Sequence, residues 1–348
     1  MKYLRQILMW VGWVALCTVA AFTQPIKIDR VEAVGTTVAD LDRSIDFYTH
    51  VLHFVKEFEV EVSGPDVEQF KGVFGARMRI ARLRLGAEEL ELSEYLAPQG
   101  RPVPLDSHSN DLWFQHIAIV VSDMDEAYRW LRENHVKHVS SGPQTLPQWN
   151  VQAGGIQAFY FRDPDGHVLE VIHFPFGKGD PRWQSHGPEL FLGIDHTAIA
   201  VSDTERSLAL YRDELGMRVV GSSENYGDEQ EHLNSVFGAR LRITSLRGPS
   251  GPGVELLEYT SPRSGRPIPT DASANDLAHW ETIVDDVDLS DVWSQLSKAH
   301  AKVISNGVRR VEWFAEGIRT GFLFADPDGH VIAAMHPNES GTSGTQGR

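Results

Sequence analysis

The chain is written twice. "VADLDRSIDFYTHVL" from Val38 returns as "VSDTERSLALYRDEL" from Val201, and "VFGARMRI" from Val73 returns as "VFGARLRI" from Val236. "LELSEYLAPQGRPVP" from Leu90 returns as "VELLEYTSPRSGRPIP" from Val254. "NDL" at Asn110 recurs at Asn275, and "DPDGHV" at Asp163 recurs at Asp326. The offsets stay between 163 and 165, so two copies of one unit occupy about 28–175 and 192–338. Whatever the first copy folds into, the second must fold into as well. Between them "FGKGDPRWQSHGPEL" carries the Gly and Pro of a linker, residues 176–191.

Each copy contains a weaker repeat of its own. "HIAIVVSDMDEAYRWL" from His116 is similar to "HTAIAVSDTERSLALY" from His196. Each begins with an alternating apolar strand, passes an Asp-bearing turn and enters a helix with apolar residues at helical spacing. Short β-branched and aromatic runs follow: "RMRIARLRL", "ELELSEYL", "QAFYF" and "HVLEVIHF". The pattern predicts four βαβββ units in an α+β chain.

Composition narrows the partners. With 32 Lys and Arg against 48 Asp and Glu, the net charge of −16 leaves no basic footprint for nucleic acid or an anionic membrane. Cys17 is the only cysteine, which excludes a disulfide framework and a cysteine metal site. Lys2 and Arg5 precede an uncharged apolar stretch from Ile7 to Phe22, and Val19-Ala20-Ala21 offers small residues for cleavage. Residues 1–24 therefore read as a signal peptide, with a periplasmic or secreted mature chain, or an uncleaved membrane anchor as the alternative. Residues 339–348 read as a disordered tail.

The strand-turn-helix openings, together with the closing "DPDGH" and Glu170, resemble the vicinal-oxygen-chelate superfamily of glyoxalases, bleomycin-resistance proteins, epimerases and extradiol dioxygenases. The resemblance covers nearly the whole mature chain. It implies two cups, each curled from two βαβββ units, with a metal held by the first and last strands. The family's first-strand ligand lies seven residues before the turn Asp. It falls on His116 before Asp123, on His196 before Asp203 and on Ala33 before Asp40. In the fourth unit it falls on Glu281 before Asp288, or on His279 before Asp286. The last-strand ligand, four residues after "DPDG", falls on Glu170 and Ala333. The other two units offer Glu91 and Glu255, or Glu94 and Glu258 if a bulge shifts the parity.

If consecutive units paired, each cup would lack a ligand. If the second unit pairs with the third and the first with the fourth, as the resemblance to tandem glyoxalases implies, one cup holds His116, Glu170, His196 and Glu255. The other then holds Ala33, Glu91, Ala333 and Glu281 or His279. The exchanged arrangement is expected. Two imidazoles with one or two carboxylates suit Fe, Mn, Zn, Ni or Co, and two histidines with one carboxylate are also the non-haem iron triad.

The resemblance implies a small-molecule substrate chelated through adjacent oxygens, with Glu255 or Glu170 as the base. Tyr160, ten residues before Glu170, matches part of the extradiol dioxygenase pattern, but the upstream His is absent and Asn150, Val151 and Gln152 stand there. A ligand-sequestering protein is the non-enzymatic reading, with Trp113, Phe114, Trp149 and Trp313 as cup walls. Export would disfavour glutathione or coenzyme A thioester substrates. A monomer or homodimer is expected. His167 and His330 read as exposed turn residues. "DEQEH" near Asp228 reads as a solvated loop, from which His232 could overhang a cup.

Overall fold

The computed structural model describes residues 28–286, 302–314 and 317–337, with 289, 292, 293 and 296 between. The expected signal peptide, with Cys17, and the expected tail lie outside the described residues. Among the described residues no helix is long and apolar enough to cross a membrane.

The first unit runs β1 (Ile28–Val38), α1 (Leu41–His50), β2 (Val55–Ser63), α2 (Pro65–Lys71), β3 (Arg77–Leu85) and β4 (Glu88–Ala97). The second runs β5 (Gln115–Val121), α3 (Met124–Glu133), the short β6 (Lys137–His138) and β7 (Gln144–Thr145), β8 (Gln157–Arg162) and β9 (Val168–His173). The third runs β10 (Phe191–Val201), α4 (Thr204–Leu208), β11 (Arg218–Tyr226), α5 (Asp228–Asn234), β12 (Arg240–Arg247) and β13 (Gly253–Ser261). The fourth has β14 (Trp280–Asp286), β15 (Arg309–Phe314), β16 (Gly317–Ala325) and β17 (Val331–Pro337).

The turn aspartates are helix caps. Asp40, Asp123 and Asp203 accept from the backbone N–H of Arg43, Glu126 and Arg206 at 3.0, 2.8 and 3.1 Å. A side-chain oxygen at this position satisfies an N–H that has no partner inside the helix. The strand before each cap therefore ends at a fixed distance from it. That is why the seven-residue spacing reports a register.

Units pair by exchange. One sheet has the order β15-β16-β17-β14-β1-β4-β3-β2, joining the fourth and first units. The other has the order β11-β12-β13-β10-β5-β9-β8-β6, joining the third and second. The seams are the antiparallel pairs β1 with β14 and β10 with β5. Helices α1 and α3 pack between the sheets in one core that includes Leu41, Tyr48, Leu131 and Phe159.

Two motifs of the repeat hold the copies crosswise. Arg266 of the second copy reaches Asp111 of the first through Nε (3.0 Å) and Nη2 (2.7 Å). Arg101 of the first reaches Asp276 of the second at 3.0 and 2.6 Å. Gly100 and Gly265 pack so tightly that a Cβ would meet the Asn275 carbonyl at 1.9 Å and the Asn110 carbonyl at 1.8 Å. "GRP" and "NDL" recur because each serves the other copy.

Several sequence expectations change. His167 and His330 are buried rather than exposed, at 2% and 5%. His167 bridges the Asp163 carboxylate (2.7 Å) and the Leu277 carbonyl (2.6 Å), and His330 lies 2.8 Å from the Ala200 carbonyl. "DEQEH" belongs to α5, because Gln230 and Leu233 turn inward one helical turn apart. His232 stays outside, exposed. The linker is a packed segment with a 3-10 turn, Pro181–Gln184, and a buried Trp183.

Candidate metal centre

Register places the four expected positions at equivalent points of the two cups. His116 on β5 faces Ala198, and Glu281 on β14 faces Gly35, the same place one repeat away. This settles the fourth unit on Glu281; His279 lies just before the strand. Glu170 pairs beside Ala118 and Ala333 beside Ile283, while Glu255 pairs beside Ala198 and Glu91 beside Gly35. Glu94 and Glu258 turn the other way, toward the helix starts at Leu41 and Thr204. No bulge shifts the parity.

In the cup of the second and third units, His116, Glu170 and His196 bring one donor atom each within 4.8 Å of one another. His116 Nε2 lies 3.1 Å and His196 Nε2 3.7 Å from the same Glu170 oxygen, and Glu255 lies 3.4 Å from His196 Nε2. All three members of the cluster are buried, while the Glu255 side chain is 22% exposed. The Ser245 hydroxyl donates to its other oxygen at 2.5 Å.

Asp195, which the sequence reading missed, orients the site. Its carboxylate lies 2.9 Å from His196 Nδ1 and accepts from Trp183 Nε1 (2.8 Å) and Arg247 Nη2 (2.7 Å). A carboxylate on one imidazole nitrogen leaves the other to face a metal. Burial disfavours a charged His196, yet the Glu255 carboxylate, then Asp195 and Glu170, prevail and push its pKa up to about 9. A divalent cation would displace that proton. Two imidazole nitrogens and the Glu170 carboxylate close together, with Glu255 beside them and no lysine or arginine in the cluster, fit such an ion.

Tyr160 lies beside His116, ring centroids 4.9 Å apart. Burial, then the charges of Glu170, Tyr259 and Glu255, raise its pKa well above the usual value, so the phenol stays a hydrogen-bond donor. These side chains line a cavity of about 560 Å³. Lys178, Gly179 and Asp180 of the linker form part of its wall. Phe114 is buried against Tyr160, Trp113 lies in another cleft and half-exposed Trp149 stacks on Tyr226, so none of the three lines the metal cup. The Trp313 side chain lies outside the described residues.

The other cup is held by ion pairs instead. Lys71 Nζ donates to both Glu281 oxygens, at 2.8 and 2.9 Å, and His279 lies 2.9 Å from one of them. Arg82 donates to Glu91 at 2.9 Å and to Glu89 at 2.8 Å. One repeat on, Lys71 becomes Asn234 and Arg82 becomes Ser245. Fixed cations stand in one cup where neutral side chains stand in the other. Comparing the copies position by position could have found Lys71, Arg82 and Ser245 from sequence.

The model of the glyoxalase/bleomycin resistance protein/dioxygenase superfamily matches residues 27–171 and again 193–334. The chain belongs to this superfamily. Over 152 residues, 42% of the chain and 80% of the relative, it is 36% identical to a 2-epi-5-epi-valiolone epimerase from Actinomyces. Over 223 residues, 64% of the chain and 66% of the relative, it is 25% identical to a lactoylglutathione lyase of Arabidopsis thaliana. Glyoxalase I from Zea mays has a similar structure, with a TM-score of 0.56 at 17% identity, covering 88% of this chain and 92% of that one. These relatives are enzymes of small-molecule chemistry.

Proposed function

We propose that the chain is an enzyme with one divalent-metal site, which isomerises or epimerises a small hydroxycarbonyl compound held through adjacent oxygens. The observation that carries this reading is the convergence of His116, Glu170 and His196, with Glu255 at its edge. The likeness to an epimerase supports the reaction class. When bound, the ion would polarise the carbonyl and offset negative charge developing on its oxygen.

Of the two carboxylates, Glu255 is the more exposed, at 22% against 6% for Glu170, and it accepts from the Ser245 hydroxyl. It is assigned as the base that takes the proton from the carbon next to the carbonyl and returns it. Glu170 and the two histidines are assigned to the ion, and Tyr160 to hydrogen-bonding substrate oxygen. A ring-cleaving dioxygenase would use the face of two histidines and one carboxylate alone, so the fourth group beside His196 favours isomerase chemistry. Export to the periplasm or beyond is part of the proposal and rests on residues 1–24.

Reconstitution with Mn, Fe, Co, Ni and Zn, followed by elemental analysis and proton exchange of α-hydroxyketones in D2O, tests the reading. Tight metal binding and metal-dependent deuterium incorporation at the α-carbon are expected. No metal uptake would leave a sequestering protein, and oxygen consumption with catechols would make it a dioxygenase.

A further inference from the structure

We infer that the cup selects a neutral carbonyl compound carrying several hydroxyl groups, recognised by an amide wall made of Gln230 and Asn225. The inference rests on the metal-centred reading above.

Gln230 is 2% exposed and lines the cavity, and its Oε1 has no hydrogen-bond partner. Its Nε2 donates to Asn234, whose own amide donates to the Tyr259 hydroxyl. A buried acceptor without a donor is costly unless a ligand supplies one. Asn225, 4% exposed, lines the same cavity. Its Oδ1 accepts from Asn150 Nδ2 (2.7 Å) and Ser223 Oγ (2.9 Å), leaving its Nδ2 without an acceptor among the described residues. Acceptor and donor together suit hydroxyl groups, which can be either. Ser222 and Ser223 continue the same neutral, polar lining.

Charge does not favour an anion. The lining carries four carboxylates, on Glu170, Asp180, Asp195 and Glu255, against the cations Lys178 and Arg247. A divalent ion brings that set to neutrality. Arg247 is paired with Asp195, while Lys178 donates to the Val151 and Gln152 carbonyls at 2.6 and 3.1 Å. With the set neutral, a ligand carboxylate gains no net attraction from the lining.

Three probes separate the terms on the Co-loaded protein, read by calorimetry and the visible cobalt spectrum. 2-Hydroxycyclohexanone offers only adjacent oxygens, 2-keto-myo-inositol adds hydroxyls, and 2-ketogluconate adds a carboxylate. The inositol ketone is expected to bind about ten-fold or more tightly than either of the others, as a site built for hydroxyls discriminates. Gln230→Leu and, separately, Asn225→Ala should shrink its advantage over hydroxycyclohexanone while leaving the cobalt spectrum and cobalt affinity unchanged. Equal binding of the two neutral probes, preference for 2-ketogluconate, or an advantage retained in both variants would overturn the inference and spare the metal-centred reading. Failure to bind cobalt would overturn both.

Discussion

At the scale of single residues, the centre divides into groups that would touch the ion and groups that aim them. Asp195 belongs to the second kind: it adjoins His196 Nδ1 and is itself held by Trp183 and Arg247. Asp195→Asn keeps the volume and removes the charge, so metal affinity should fall about 10–100-fold, the usual effect of losing such a partner. Chelator competition with Zn or Co would measure it, and unchanged affinity would remove the orienting role. His116→Ala should abolish metal binding by the same assay, whereas Glu281→Ala, at the equivalent place in the ion-paired cup, should leave it intact. The reverse outcome would assign the metal to the other cup. The two histidines and Glu170 were legible in sequence because caps and "DPDG" turns count residues along a strand, whereas Glu255 stood against Glu258 until the register decided between them. Asp195 was not, because nothing in a linear string shows that its neighbour's second nitrogen needs a partner.

At the scale of elements, the second cup shows how a repeat loses one chemistry and keeps its shape. Helix α2 ends on Lys71, which closes onto Glu281 of β14, and both side chains are buried. Burial alone would raise the Glu281 pKa, but Lys71, then His279, hold it down at about 2. A carboxyl with a depressed folded pKa contributes stability that is present above its unfolded pKa, about 4.5, and is lost as pH falls toward 2. The stability gap between wild type and Glu281→Gln should therefore be full near neutrality and narrow from about pH 4.5 downward, as urea unfolding at several pH values would show. A gap independent of pH would mean that Glu281 is not ionised in the fold. Helix α5 illustrates the limit of reading elements from charge. "DEQEH" is polar enough for a loop, yet Gln230 and Leu233 give it a buried face, with Leu233 clustered with Tyr160 of the second unit and Leu257 of the third. Tertiary burial, not local composition, decides such a segment.

At the scale of the whole molecule, exchange makes each sheet the property of both copies. The four units were legible from the repeats, and the exchanged pairing from the losses at Ala33 and Ala333, which leave one complete cup if those two positions share the other. The crossed staples were not, since "GRP" and "NDL" carry no sign of which copy they serve. Asp111 is 2% exposed at its side chain and accepts from the His108 and Arg266 backbone N–H groups at 2.9 Å each, besides the guanidinium. Asp111→Ala should cost about 1–2 kcal/mol by leaving those half-buried donors without their acceptor, seen as a lower Tm. The same architecture governs how metal stabilises the fold. The proposed ligands come from β5 and β9 of the first copy and from β10 of the second, across one seam. An ion that binds only the folded pair adds about 2.7 kcal/mol when present at a hundred times its Kd. Because neither copy owns the site, that gain must reach both. Scanning calorimetry of the wild type should show one transition that moves upward as a whole with metal, and His116→Ala should not respond. Two transitions, with metal raising only one, would mean that the copies unfold independently despite sharing both sheets.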